Sequence, residues 1–347
     1  MSIGTLPSDS TKNVRKPDGG RNLQLARPSV LQTLLATRWL GFYALAALIT
    51  LFSVLLPYTF PTATNASAIL GNEAVGMMLA IALLIPIVAG QFDLSVASIL
   101  TLAMIMAIGL FQFFEAPVWV AVVAGPLVGA AIGLINGFCV AWLRIPSLVA
   151  TLATGSCALG VALWWTNGSI FALNVPESFR ALGERLGPVP LPVVFTALLA
   201  VVAWWVLERT PTGRYLYSIG DNAEAARLVG LPVTGLTVSA FVASGTIAGL
   251  AGVVQAAILG SGNPQVGASF LLPAFAAVFL GAAIFHVGRY NVIGTVMAVL
   301  ILAVMVAGLQ QFGLPFYIEP VLKGAILLAA VAFTTGRFAA RNQRGRR

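Results

Sequence analysis

No soluble core absorbs apolar runs as long as those that fill this chain from Trp39 onward. Crossing a bilayer core of about 30 Å takes a helix of about 20 apolar residues, with about 17 to 25 the workable range. That ruler picks out Trp39 to Phe60, Ala74 to Gly90, Leu94 to Phe114, Pro117 to Leu143, Ile145 to Asn167, Val189 to Leu207, Val233 to Ile258, Phe270 to Phe285, Tyr290 to Gln310 and Ile318 to Phe333. The second and eighth are short and carry Pro86 and Pro273. Composition agrees: 59% of the 347 residues are hydrophobic and 9% charged, against about 25% charged in a soluble domain. The expected fold class is an all-α polytopic membrane protein with about ten transmembrane helices. Trp39 to Phe60 exceeds a signal-peptide core and lacks a small-residue cleavage pattern behind it, so it reads as a retained first span.

Charge sets the orientation. With both termini inside, the cytoplasmic segments collect Lys12, Arg15, Lys16, Arg21, Arg27, Arg38, Arg144, Arg209, Arg214, Arg227, Arg289, Arg337, Arg341, Arg344, Arg346 and Arg347, and the outer loops hold only Arg180 and Arg185. An excess of Lys and Arg on the cytoplasmic side is the expected bias. It also accounts for the net charge of +8 without nucleic acid. Residues 1–38 read as a disordered basic cytoplasmic tail, 39–335 as the transmembrane domain with a polar cytoplasmic loop at 208–233, and 336–347 as a second basic tail. Five spans per half would make two halves of inverted orientation. Gly125, Gly129, Gly133 and Gly137 repeat every four residues, as do Gly245 and Gly249. Such spacing supports a repeat, although close helix packing accounts for either ladder alone.

The loop from Glu208 to Val233 contains a short helix signature. Asp221 is a candidate N-cap, and Glu224 stands at capping-box spacing. Gly230 suits the left-handed position after the last turn, and Pro232 forbids continuation. Asn222, Ala225, Ala226, Arg227, Leu228 and Val229 fill the turns between. Two turns are too few to be stable alone in water, so the helix needs a partner surface.

Candidate chemistry is sparse. There is no phosphate-cradling Gly-x-x-x-x-Gly-Lys-Ser/Thr, so ATP-driven transport would need another chain as its ATPase. His286, the single histidine, reads as a loop residue, and Cys139 and Cys157 as apolar fillers. No nucleophile, base or metal constellation argues for an enzyme. Asp93 stands at a helix break or caps the third span. Glu319 and Lys323 are spaced to pair with each other in the last span. Candidate path residues are Asp93, Ser95, Asn136, Thr151, Thr154, Gln255 and Asn263, each with interhelical hydrogen bonding as its plainer role. An ion-coupled secondary transporter using Asp93 or the Glu319 and Lys323 pair is the alternative.

GQFDLSVAS (Gly90 to Ser98), GLINGFCVAWLRIPSLVATLAT (Gly133 to Thr154), TPTGRYLYSIGDNAEAARLVGLPV (Thr210 to Val233) and GRYNVIGT (Gly288 to Thr295) resemble the permease subunits of ribose-type ATP-binding-cassette importers. The resemblance implies a dimer, of identical or related permeases, in the bacterial inner membrane. It implies two cytoplasmic ATPases that bind ATP and Mg, and a periplasmic solute-binding protein. This chain would bind no cofactor itself. The short helix at Glu224-Ala225-Ala226 would be the coupling helix seated in the ATPase. The sequence departs from the family where Gly90-Gln91 replaces a Gly-Gly pair, where Ala97 replaces a glycine, and at Gly281 to Gly288, leaving the sugar open.

Overall fold

The computed structural model describes residues 40–172, 175–285, 288–315 and 317–344, with side chains up to residue 332. The N-terminal tail and His286 lie outside the described residues. In chain order the elements are α1 (Leu40–Leu55), α2 (Ala63–Val88), α3 (Val96–Phe114), α4 (Val118–Ala141), α5 (Ser147–Thr166), α6 (Glu177–Arg180), β1 (Arg185–Leu186), β2 (Val189–Pro190), α7 (Leu191–Arg209), α8 (Pro211–Asp221), α9 (Ala223–Leu228), α10 (Val233–Leu259), α11 (Ala268–Ile284), α12 (Val292–Gln311) and α13 (Ile318–Arg344). The expected helical architecture holds, apart from the small β1/β2 hairpin turned at Gly187, where φ is 64°.

Among the described residues, seven helices (α2, α3, α4, α5, α7, α10 and α12) are long and apolar enough to cross a membrane, and α1 and α11 are shorter apolar helices. α13 runs on to Arg344, past the expected end at Phe333 and into the segment expected as a tail, and two boundaries nearer the start of the chain also differ. α1 stops at Leu55, and α2 begins at Ala63 rather than Ala74. Its first three turns carry Asn65, Ser67, Asn72 and Glu73, which hide it from a hydropathy ruler. A local cap starts it regardless, since Thr62 Oγ1 accepts the Asn65 amide at 3.1 Å.

Helix surfaces sort into inner and outer. The last fifteen residues of α2, Ala74 to Val88, are buried on every side, as befits a helix that is apolar all round. In α4, by contrast, the buried positions form a stripe of Ala121, Gly125, Gly129, Gly133, Asn136 and Gly137, and Leu127, Leu134 and Phe138 face outward. That stripe lies antiparallel along α10. A Cβ on Gly129 would strike the carbonyl of Gly245, one on Gly249 that of Gly125, one on Gly133 that of Phe241, and one on Gly137 would stand 2.8 Å from Val238 Cα. The two ladders are therefore two sides of one seam, in which backbones touch because no side chain intervenes.

Contacts between distant loops define two ends. At one, Ser67 Oγ donates to Pro188 O at 2.8 Å, Phe171 bridges Gly262, and Gln311 Nε2 donates to Asn65 Oδ1 at 2.8 Å. At the other, the amide of Phe92 donates to Ser147 Oγ at 3.1 Å and Tyr217 reaches the turn before α12. Arg144, Arg227 and Arg289 gather at this second end, and Arg180 at the first.

Candidate functional site

The second end is organised by the break between α2 and α3. Gly90 (φ 74°) turns the chain: its amide donates to Ile87 O at 3.0 Å, and that of Gln91 to Pro86 O at 2.9 Å. This pairing closes a helix through a left-handed residue, which glycine adopts without a Cβ clash. Residues 92–95 then run into the bundle, where other helices satisfy their polar groups.

Asp93 is fully buried. Its Oδ1 accepts the amide of Ser95 at 3.0 Å and the Ser95 hydroxyl at 2.6 Å, and its Oδ2 accepts the Ser244 hydroxyl of α10 at 2.9 Å. Ser95 Oγ accepts from Asn136 Nδ2 of α4 at 2.8 Å, and Asn136 Oδ1 accepts from the Thr154 hydroxyl of α5. Thr151 Oγ1 takes the amide of Leu94 at 3.0 Å. Five of the seven candidate path residues thus form one hydrogen-bonded clasp. The other two stand apart: Gln255 lies three turns further along α10, and Asn263 accepts the Gln265 amide at 3.0 Å in the loop at the opposite end.

Of the two expected positions Asp93 takes the helix break, between α2 and α3, and does not cap α3. Ser95 is the N-cap, already at helical dihedrals (φ −77°, ψ −17°), and makes no side-chain bond to the first turn. Its hydroxyl is committed to Asp93 instead, because both lie inside the bundle where every polar group needs a partner. Ser244 was not among the expected residues. One serine in an apolar helix carries no distinguishing pattern, and 151 positions separate it from Asp93.

Beside the clasp sits the polar loop, which folds as two helices rather than one. Thr210 caps α8 with Pro211 at its first position, the Thr-Pro signature of a helix start. Asp221 is the last residue of α8, not a cap. Asn222, extended at φ −162°, is the N-cap of α9, its Oδ1 accepting the amides of Glu224 and Ala225, each at 3.0 Å. Both residues suit a cap, but the amide of Asn222 still donates to Ser218 O at 3.1 Å, so α8 runs one residue past the expected start. The far end is as expected: Gly230 has φ 84°, and the amides of Gly230 and Leu231 donate to Arg227 O and Ala226 O, each at 3.1 Å. Ala226 is buried with Ile219 and Val233. Glu224, Ala225, Arg227, Leu228 and Val229 are exposed.

α8 bears directly on the break. A Cβ on Gly220 would strike Val88 O, and one on Gly90 would stand 3.4 Å from Gly220 Cα. Tyr217 adds a second tie, donating its hydroxyl to Tyr290 O at 2.7 Å while the Arg289 guanidinium lies 4.0 Å from its ring centre. Burial raises the Tyr217 hydroxyl above the usual phenol range, so it remains a donor at neutral pH. Tyr217→Phe is expected to lower stability by about 1 kcal/mol. A cycle of Tyr217→Ala with Arg289→Ala, read by thermal unfolding, should show coupling, because the first substitution removes the ring on which the guanidinium rests. Strict additivity would mean that the stacked geometry is not held.

At the first end, Lys323 Nζ lies 2.7 Å from Glu319 Oε1, the expected pairing. Glu73 lies 3.9 Å from the same ammonium. No hydropathy signal marks it, because it falls in the polar start of α2.

Seven apolar helices of spanning length, packed along a glycine seam with a polar clasp at a helix break, mark this chain as a multi-pass membrane protein. Within that class it belongs to the family described as branched-chain amino acid transport system / permease component, which matches residues 65–331. It is 34% identical to the ribose import permease protein of Escherichia coli (strain K12) over 293 residues, 83% of this chain and 90% of that protein. Similarity to the D-allose transport system permease protein of the same organism is 31%, over 84% of this chain and 89% of the relative. The L-arabinose ABC transporter permease protein of Azospirillum brasilense is 32% identical, over 80% and 78%. No solved structure matches the chain. The resemblance read from the motifs is borne out: this is a permease of the sugar ATP-binding-cassette type.

Proposed function

We propose that this chain is the transmembrane subunit of a binding-protein-dependent importer for a sugar or sugar-like polyhydroxy solute in the bacterial inner membrane. It would act as a homodimer or beside a related permease, with its N and C termini cytoplasmic. Two cytoplasmic ATPase subunits would bind ATP and Mg, and a periplasmic protein would deliver the solute. α9 is the coupling helix in this reading. The observation that carries it is the exposure of Leu228 and Val229, 89% and 77%, at the tip of a helix capped at both ends. Apolar side chains held out on a rigid mount suit a groove in a partner.

Motion would pass from α9 through Ala226 to α8, and through Gly220 onto Gly90 and the break it begins. Both glycines make backbone contact there, so displacement is transmitted without side-chain slack. Rocking of the helices joined at the clasp would then alternate access.

The test is co-purification of ATPase subunits with the detergent-solubilised chain, wild type against Leu228→Asp. We expect a stoichiometric ATPase with the wild type and at least a tenfold loss in the variant, with unchanged elution of the permease. Absence of an ATPase from both samples would instead favour a stand-alone ion-coupled transporter using Asp93 or the Glu319–Lys323 pair. A proton uncoupler would then stop uptake within seconds.

A further inference from the structure

At the same end as the clasp, a cavity of about 290 Å³ lies between the break after α2, the end of α4, α8, α9 and the start of α10. That is close to the lower bound of small-molecule sites, about 300 to 1,000 Å³. Gln91, Arg144, Arg227, Thr234 and Thr237 supply its polar lining, and no carboxylate belongs to it. Arg144 follows α4 at φ 57°, a left-handed position that favours glycine. Among the described residues ion pairs form only around Lys323, and neither guanidinium makes a hydrogen bond.

α10 starts in this cavity without a side-chain cap. The amides of Thr234 and Gly235 make no hydrogen bond among the described residues. Free amides at the head of a 27-residue helix favour an anion, through both their hydrogens and the helix dipole. Thr237, one turn further on, is only 5% exposed. Thr101, Thr151, Thr196 and Thr246 each turn the hydroxyl back to the carbonyl four residues earlier, a common arrangement within a helix. Thr237 does not, and its hydroxyl has no partner among the described residues, where a buried hydroxyl ordinarily has one. The one side-chain atom there that is both enclosed and unpartnered is Gln112 Oε1, so the Thr237 hydroxyl opens onto the cavity it lines. Two guanidiniums, a side-chain amide, two hydroxyls and free helix amides can all donate. They complement a multiply charged group that only accepts, as a phosphoryl group does.

We infer that this cavity is a site for a phosphoryl group, borne by a small phosphorylated solute or by an anionic lipid headgroup, and held by Arg144, Arg227, Thr237 and the start of α10. The site stands on this geometry; that it faces the cytoplasm rests on the transport reading above.

The experiment is equilibrium binding of radiolabelled inorganic phosphate to the full chain in nanodiscs of phosphatidylcholine, whose choline the arginines repel. Wild type should bind saturably. Arg144→Gln should weaken binding about tenfold, the effect of losing a charge-assisted hydrogen bond. Thr237→Val, which removes the hydroxyl and little else, should weaken it about fivefold. Should one variant fail to elute as wild type does, the other carries the test. Discs containing phosphatidylglycerol separate the two sources: phosphate binding persists where a soluble solute is the occupant and is displaced where a headgroup is. The inference is overturned if wild type in phosphatidylcholine binds no phosphate saturably, or if either variant, eluting normally, binds it as wild type does. A chain that captures its ATPase but binds no phosphate refutes the site alone. One that binds phosphate but captures no ATPase refutes the subunit reading alone.

Discussion

Gly129→Leu is expected to yield no monodisperse protein. Its Cβ would meet the Gly245 carbonyl, and a Cβ on Gly245 would meet that of Gly129, so each helix fills the space the other lacks. A clash with a flexible side chain is relieved by a rotamer change, but here both surfaces are helical backbone. Relief therefore means separating α4 from α10 along contacts that run from Gly125 to Gly137. Overpacking a core ordinarily costs about 1 to 3 kcal/mol. Forcing two backbones apart should exceed that range, because the buried face of α4 is little more than this stripe. Leu134→Ala, on the outward face of the same helix, is the control and should leave the yield within about 20% of wild type, as surface changes usually do. Fluorescence-detected size exclusion of detergent extracts reads both. A Gly129→Leu peak of normal height and melting temperature would show that the helices do not meet here.

Asp93→Leu should be nearly as damaging, and Asp93→Asn far less so. Three donors converge on this carboxylate: the Ser95 amide, the Ser95 hydroxyl and the Ser244 hydroxyl. Leucine leaves them without their acceptor in a buried site, at about 1 to 3 kcal/mol for each group that finds no substitute. The hydroxyls can rotate to other acceptors, but the amide cannot. We expect a loss of about 2 to 3 kcal/mol, set by the stranded amide, with the break between α2 and α3 freed from α10. Asparagine keeps one carbonyl oxygen for Ser95, and the Ser244 hydroxyl can turn to accept from its amide, so the loss should stay below about 2 kcal/mol. Ser244→Ala removes a single neighbour and should fall between wild type and Asp93→Leu. Thermal unfolding in detergent gives the order. Equal stability of Asp93→Leu and wild type would mean that the clasp holds nothing.

The parts of this fold legible in the sequence are those decided within a few residues of chain. Apolar length places the helices because bilayer thickness is fixed, and Gly230 ends α9 because only a left-handed residue closes that turn. The glycine ladders were visible as spacing, although which ladder meets which was not. Local signals also failed where two candidates competed. Asp221 and Asn222 both suit a cap, and the choice fell to Asn222 because α8 continues through Asp221. Likewise α2 begins in residues polar enough to pass for a loop, with only the Thr62 cap to mark them.

Local signals along the chain specify a polytopic helical membrane protein with glycine ladders, a capped polar appendage and the motifs of a sugar permease. Packing between distant helices is what brings Ser244 to Asp93, sets Gly220 against Gly90, and turns Glu73, Glu319 and Lys323 to one cavity. Distance along the chain separates the two. Hydropathy, capping and turn chemistry act over one or two helical turns, whereas these groups meet only after helices far apart in sequence have packed, and their side chains alone carry no record of which neighbour packing will bring.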